Sequence, residues 1–199
     1  MKQIDWLFFD VGSPLVNEEK VYQDRIKQAL ADTNISYAAF YQTMIHYFME
    51  NKKGDVEALK YYGLKCPSWK SDLETLYPGC KHVLKTLHSH YKIGILANQL
   101  PNLLARLRNF GIDSYIDLII SSADVGLAKA NLAIFKLALQ QANCLAKHAV
   151  MIGDRLDNDI LPAKQLGMRT IWIRQGFSRL THITNPAETP DWTVDNWQK

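Results

Sequence analysis

The sequence predicts an α/β fold: a doubly wound parallel sheet that carries an inserted small α-helical domain. Three observations predict it. Five short apolar runs recur along the chain with little polar alternation, as strands buried on both faces of a parallel sheet require. Helical patterns separate the later runs, which is the layout of right-handed strand-helix-strand crossovers. Residues 17 to about 76 hold helical spacing and no strand pattern.

The first strand is Trp6-Leu7-Phe8-Phe9, which stops at Asp10 and is followed by two strand breakers, Gly12 and Pro14. VYQDRIKQALAD (21–32), YAAFYQTMIHYFMEN (37–51) and DVEALKYYGL (55–64) then place apolar groups three and four residues apart, with a break at 51–54. Residues 17–76 are therefore expected to form the inserted helical domain, and residues 1–16 and 77–199 the α/β core. Phe40, Tyr41, Met44, Tyr47 and Phe48 make a dense stripe on the second helix. Helix packing explains it, and an apolar wall over a substrate is the sharper alternative.

Further strands are expected at 91–98, 116–122, 148–154 and 169–175. Helices fall between them over 103–107, 132–139 and 160–166; the first is closed by Phe110-Gly111 and the last by Gly167. The tail NPAETPDWTVDNWQK, from Asn185, reads as a loop and a short edge strand that covers the sheet.

Composition excludes several function classes. With 199 residues, 47% hydrophobic and 22% charged, the chain is expected to form one globular body. A net charge of +3, with no Lys/Arg stripe interleaved with aromatics, argues against a nucleic-acid partner. Lys52-Lys53 and Lys147-His148 read as solvated turns. No apolar run approaches the ~20 residues of a membrane span, and MKQIDWLFFD lacks the order of a signal peptide, so a cytoplasmic protein without a membrane partner is expected. Cys66, Cys80 and Cys144 stand far apart without a CxxC pair and read as reduced thiols.

In an open parallel sheet the ligand crevice lies at the carboxyl ends of the strands. The first strand delivers Asp10 and Gly12 there, and the second Ala97, Asn98 and Gln99. Asp124 through Lys129 follow the third, and Asp154, Asp157, Asn158 and Asp159 the fourth. Carboxylates and a lysine in one crevice make a hard oxygen site that suits Mg²⁺. A carboxylate beside such an ion can attack phosphorus, while cation and lysine neutralise the transferring phosphoryl oxygens.

Four segments carry a resemblance: FFDVGSPLV, GILANQ, VGLAKANLAIFKLAL and VMIGDRLDNDILPAKQLGM. In this order they resemble the motifs of the haloacid dehalogenase superfamily of phosphohydrolases, and the chain is similar to the members with a small helical cap of the C1 type on a Rossmann-like core. The resemblance implies Asp10 as nucleophile and metal ligand, with the Gly12 carbonyl, Asp154 and Asp159 completing the Mg²⁺ site. It implies that Lys129 pairs with the phosphoryl group and Asp10, and that Asn98 orients substrate, with Gln99 at the border of the crevice. The implied substrate is a small phosphate ester. Monomer and homodimer stay open.

The sequence departs from that pattern. Gly12 stands where the family's phosphatases usually carry a second Asp, which protonates the leaving oxygen and activates water; its loss removes an effect of ~10² to 10⁴-fold. Hydrolysis weakened, or restricted to good leaving groups, is the expectation. Ala97 replaces a hydroxyl residue, Pro14 removes a backbone N–H, and Ala130 replaces the proline that usually follows the lysine. A fold-retaining binding or regulatory protein without turnover is the alternative. A dehalogenase would lack the acids at 154 and 159, and a phosphonate hydrolase would need Lys52, Lys53 or Lys60 as a Schiff base. Arg155 borders the crevice and reads either as a substrate contact or as a solvent-exposed partner for nearby acids, and Asp157 as a surface or helix-start acid, with the metal shell as the alternative.

Overall fold

The computed structural model describes residues 3–197. Strand β1 (Trp6–Phe9) is followed by the two-residue strand β2 (Val16–Asn17) and then by helices α1 (Glu19–Leu30), α2 (Tyr37–Met49) and α3 (Gly54–Tyr61). A second two-residue strand, β3 (Thr75–Leu76), brings the chain back. From there helices and strands alternate through α4 (Cys80–His88), β4 (Lys92–Ala97), α5 (Leu103–Asn109) and β5 (Leu118–Ser121). After the short α6 (Ser122–Val125) come α7 (Leu132–Gln141), β6 (Ala149–Gly153), α8 (Leu161–Gln165), β7 (Arg169–Ile173) and β8 (Trp192–Val194).

Six strands form one sheet in the order β5-β4-β1-β6-β7-β8, every pair parallel. β1 lies between β4 and β6, so the strand order reverses beside it, and the crevice at its carboxyl end is where such sheets bind ligands. The even apolarity of the strands has a direct cause. Leu7 and Phe9 face a core shared with Ile93, Ile95, Leu84 and Leu107, whereas Phe8 faces another with Leu96, Phe135 and Met151. Both faces of the sheet are covered, which leaves no polar face to alternate with.

Gly94 pairs with Phe8 across the β1–β4 ladder, and a Cβ there would sit 2.5 Å from the Phe8 ring. Phe8 has no exposure and no room to retreat. Gly94→Ala is therefore expected to cost ~1–3 kcal/mol by overpacking. Urea titration should show a lower midpoint with an unchanged slope.

The sheet follows the sequence reading, with strand ends shorter by up to two residues on a side. The differences lie elsewhere. β2 and β3 form an antiparallel pair, Val16 opposite Leu76 and Asn17 opposite Thr75, at the two stems of the helical segment. Two residues are too few to show a period of two, so no strand was legible there. Helix α4 was not legible either. The helix expected over 160–166 begins with a π-helical turn at Leu156–Ile160, and α8 follows directly with Pro162 near its start.

β8 pairs with β7 at the sheet edge, and Trp197 packs on Phe9 at 6.0 Å and donates its indole N–H to the Pro14 carbonyl at 2.5 Å. Gln198 and Lys199, the end of the expected tail, lie outside the described residues. Helices α1 to α3 pack around Ile26, Phe40, Met44, Ala58 and Leu59. This segment touches the loops at the sheet edge where Phe48 stacks on Phe177 at 4.3 Å and Arg155 donates to the Asn51 carbonyl at 2.7 Å.

Candidate active site

A cavity of about 530 Å³ opens at the carboxyl ends of β1, β4 and β6, between the sheet and the helical segment. Asp10 enters it directly from β1, its backbone N–H still bonded to the Ile152 carbonyl at 2.9 Å. Lys129 meets it with Nζ 2.9 Å from Asp10 Oδ1 and 2.5 Å from Asp159 Oδ1. The lysine side chain is only 2% exposed, so these contacts are made away from bulk water.

Two features hold this geometry. Asn98 accepts from the Lys129 backbone N–H and donates to the Lys129 carbonyl, both at 2.8 Å, so the end of β4 fixes the lysine loop. Gly153 ends β6, and a Cβ there would lie 2.3 Å from Asp159 Oδ2. The glycine lets the Asp159 carboxylate fold back against the strand end, where Oδ2 accepts the Arg155 backbone N–H at 3.0 Å. The spacing of Gly153 and Asp159 thus has a steric reason.

Asp10, Asp154 and Asp159 each bring an oxygen within 4.8 Å of the other two. Three carboxyl groups crowd around one ammonium, so acidic groups outnumber basic ones at the site. Burial, and then this crowding, shape the titration of the buried acids. Burial first, then the charges of Asp159 and Asp10, hold Asp154 well above the carboxylate range. Burial lifts Asp159, Lys129 pulls it back and Asp10 repels it, leaving it at about 6. Burial works against the charge on Lys129, but Asp10 and Asp159 outweigh it and hold the ammonium above its ordinary range. A compact set of hard oxygens that outnumber the positive charge beside them fits a divalent cation. Asp10, Asp154 and Asp159 are the side chains that would hold it.

Gly12 lines the cavity, and a Cβ on it would lie 2.7 Å from Glu18 Oε1. Glu18 immediately precedes α1 and is half-buried at the cavity wall. Burial, then the charges of Glu74 and Asp10, push its carboxyl up to about 8 against the pull of Arg106. No motif in the sequence singles out Glu18, because its closeness to Gly12 exists only in three dimensions.

The other residues read from the sequence divide. Gln99 lines the cavity, but its side-chain oxygen accepts from Arg106 Nη1 at 2.8 Å, and Arg106 also pairs with buried Glu74 at 2.5 Å. Arg155 forks onto Asp157 at 2.7 and 3.0 Å, so Asp157 is engaged beside the acid cluster rather than in it. Phe40 and Met44 are core of the helical segment, whereas Phe48 faces the cavity. The aromatic stripe therefore serves both packing and the wall. Tyr22 and Trp69, which meet edge-to-face at 5.2 Å, join that wall, and Arg25 lies over the Trp69 ring and pairs with Asp55. These residues carry no motif and were not legible in the sequence. Among the described residues no helix is long and apolar enough to cross a membrane.

The family profile of haloacid dehalogenase-like hydrolases matches residues 8–173. The chain is 27% identical to the pyrimidine 5'-nucleotidase YjjG of Escherichia coli (strain K12), over 96% of this chain and 94% of the relative. It is 37% identical to a glyceraldehyde 3-phosphate phosphatase of Methanocaldococcus jannaschii, over 59% of this chain and 53% of that protein. The crystal structure of the HAD-hydrolase YfnB from Bacillus subtilis bound to magnesium superimposes with a TM-score of 0.74 at 20% identity, covering 99% of this chain and 96% of that one.

Proposed function

The chain belongs to the haloacid dehalogenase-like hydrolase family, and from that premise we propose that it is a Mg²⁺-dependent phosphatase acting on a small phosphate ester through an aspartyl-phosphate at Asp10. One observation carries the reading. A single buried ammonium and three mutually close carboxylates meet at the strand ends, in a cavity large enough for a small substrate. A bound divalent cation would offset negative charge and polarise the phosphoryl oxygens.

The chain's own groups then have distinct tasks. Asp10 presents a carboxylate oxygen to phosphorus at the end of a rigid strand. Lys129, oriented by Asp10 and Asp159 and clamped by Asn98, stands beside the nucleophile to meet a phosphoryl oxygen. Substrate orientation by Asn98 would then be indirect, through the lysine loop. Phe48, Tyr22 and Trp69 form the aromatic part of the cavity wall and would exclude water around the leaving group. We assign residues 17–76 to a cap on this site. Gly12 provides no proton for the leaving oxygen. Unless another group does, turnover is confined to good leaving groups.

The test is phosphate release from p-nitrophenyl phosphate, acetyl phosphate and a panel of sugar, nucleotide and alkyl phosphates. Chelation by EDTA is expected to lower turnover by at least about 100-fold, because the cation supplies several kcal/mol of charge stabilisation, and Mg²⁺ is expected to restore it. Turnover indifferent to chelation would contradict the metal part of the reading. Absence of turnover on the whole panel would favour the binding or regulatory alternative.

A further inference from the structure

Transfer of a phosphoryl group to Asp10 and on to water needs one proton delivered to the leaving oxygen and one taken from water. Five carboxyl groups line the cavity: Asp10, Glu18, Asp55, Asp154 and Asp159. Asp10, Asp154 and Asp159 form the cation-holding set, and Asp55 is paired with Arg25 at 2.5 Å. Glu18 is left. Among the described residues no hydrogen bond or ion pair reaches its carboxyl.

Its position matters as much as its freedom. A side chain at residue 12 would point from the loop after β1 into the space beside the nucleophile, and that space is taken by Glu18: a Cβ on Gly12 would meet Oε1 at 2.7, Cδ at 3.1 and Oε2 at 3.2 Å. All three atoms of the carboxyl group lie against the glycine. A side chain at 12 would meet this carboxyl and require it to shift, so the glycine leaves the Glu18 carboxyl room to occupy that space.

Resting on the phosphatase reading above, we infer that Glu18 is the proton-transfer group of the site, reaching from the start of α1 into the space left by Gly12. In the first step Asp10 attacks phosphorus, the bond from phosphorus to the leaving oxygen breaks, and that oxygen takes the proton of the Glu18 carboxylic acid. In the second the Glu18 carboxylate takes a proton from water as the water oxygen attacks phosphorus. The bond to Asp10 breaks, releasing phosphate and restoring both side chains. Turnover then extends to poor leaving groups, which Gly12 taken by itself would disallow.

Glu18→Gln keeps the volume and removes the transferable proton. With an alkyl phosphate, turnover is expected to fall by roughly 10² to 10⁴-fold. With p-nitrophenyl phosphate, whose leaving group departs unprotonated, the variant is expected to give a burst of nitrophenol stoichiometric with enzyme and then a slow steady state. The double variant Gly12→Asp/Glu18→Ala returns a carboxyl to the same space from the other side and is expected to recover part of the alkyl phosphate turnover. If Glu18→Gln turns over both substrates in the wild-type ratio and without a burst, while Asp10→Asn is inactive, the role of Glu18 is overturned and the phosphatase reading stands. If wild-type turnover does not depend on Asp10, both are overturned. Should Glu18→Gln fail to fold, the double variant decides: active supports the role, and folded but inactive overturns it.

Discussion

Asp10→Asn is expected to lower phosphate release from every substrate by roughly 10⁴-fold or more, the scale on which removal of a nucleophile acts. The amide keeps the shape of the carboxylate but has no charge with which to attack phosphorus, and it can no longer pair with Lys129. Stability should move the other way. Asp10 is one of three carboxylates crowded around a single ammonium, and its charge raises both Asp154 and Asp159. Removing that charge relieves repulsion, so thermal unfolding without metal is expected at the wild-type temperature or above. An inactive variant at least as stable as the parent is the pattern of a site that trades stability for function. An inactive variant that is strongly destabilised would instead mark Asp10 as a structural strand-end acid.

Lys129→Met should act on stability and activity together. The methionine fills similar volume, but Asp10 and Asp159 lose the ammonium that lies 2.9 and 2.5 Å away, at a site where the lysine side chain is 2% exposed. Breaking a buried pair by deleting one partner costs about 3–5 kcal/mol, because the remaining charge is left uncompensated. Urea unfolding in the absence of divalent cation should show a loss of that order. Mg²⁺ should return part of it by supplying positive charge to the same carboxylates. Turnover should stay low even with Mg²⁺, since the phosphoryl oxygens lose a buried hydrogen-bond donor. Stability equal to the parent would mean that the lysine is not a charge partner of the two acids.

The parts legible in the sequence are those that local chemistry dictates. The parallel sheet could be read from runs such as WLFF and AVMIG because burial on both faces leaves a continuous apolar signal. Asp10, Lys129, Asp154 and Asp159 could be read because each follows a strand end, and a parallel sheet gathers its strand ends along one edge. The two-residue pair β2–β3 could not, since so short a ladder has no period. Glu18 could not either: it lies in VNEEKV, one acid among neighbours, and only the return of the chain into α1 sets it against Gly12. The glycine was visible as a missing carboxyl, but the group filling its space was not. The cavity wall from Tyr22, Phe48 and Trp69 was hidden for the same reason, because helix packing and substrate contact draw on the same aromatic residues.

A nucleophilic Asp10 becomes phosphorylated during turnover, which acid quenching followed by mass spectrometry of the peptide that contains residue 10 would detect. A phosphoryl group is expected on Asp10 in the presence of Mg²⁺, a larger fraction of it in Glu18→Gln, and none in Asp10→Asn. Phosphate release that continues in Asp10→Asn, with no carboxylate of the protein ever carrying a phosphoryl group, would contradict the nucleophilic role of Asp10.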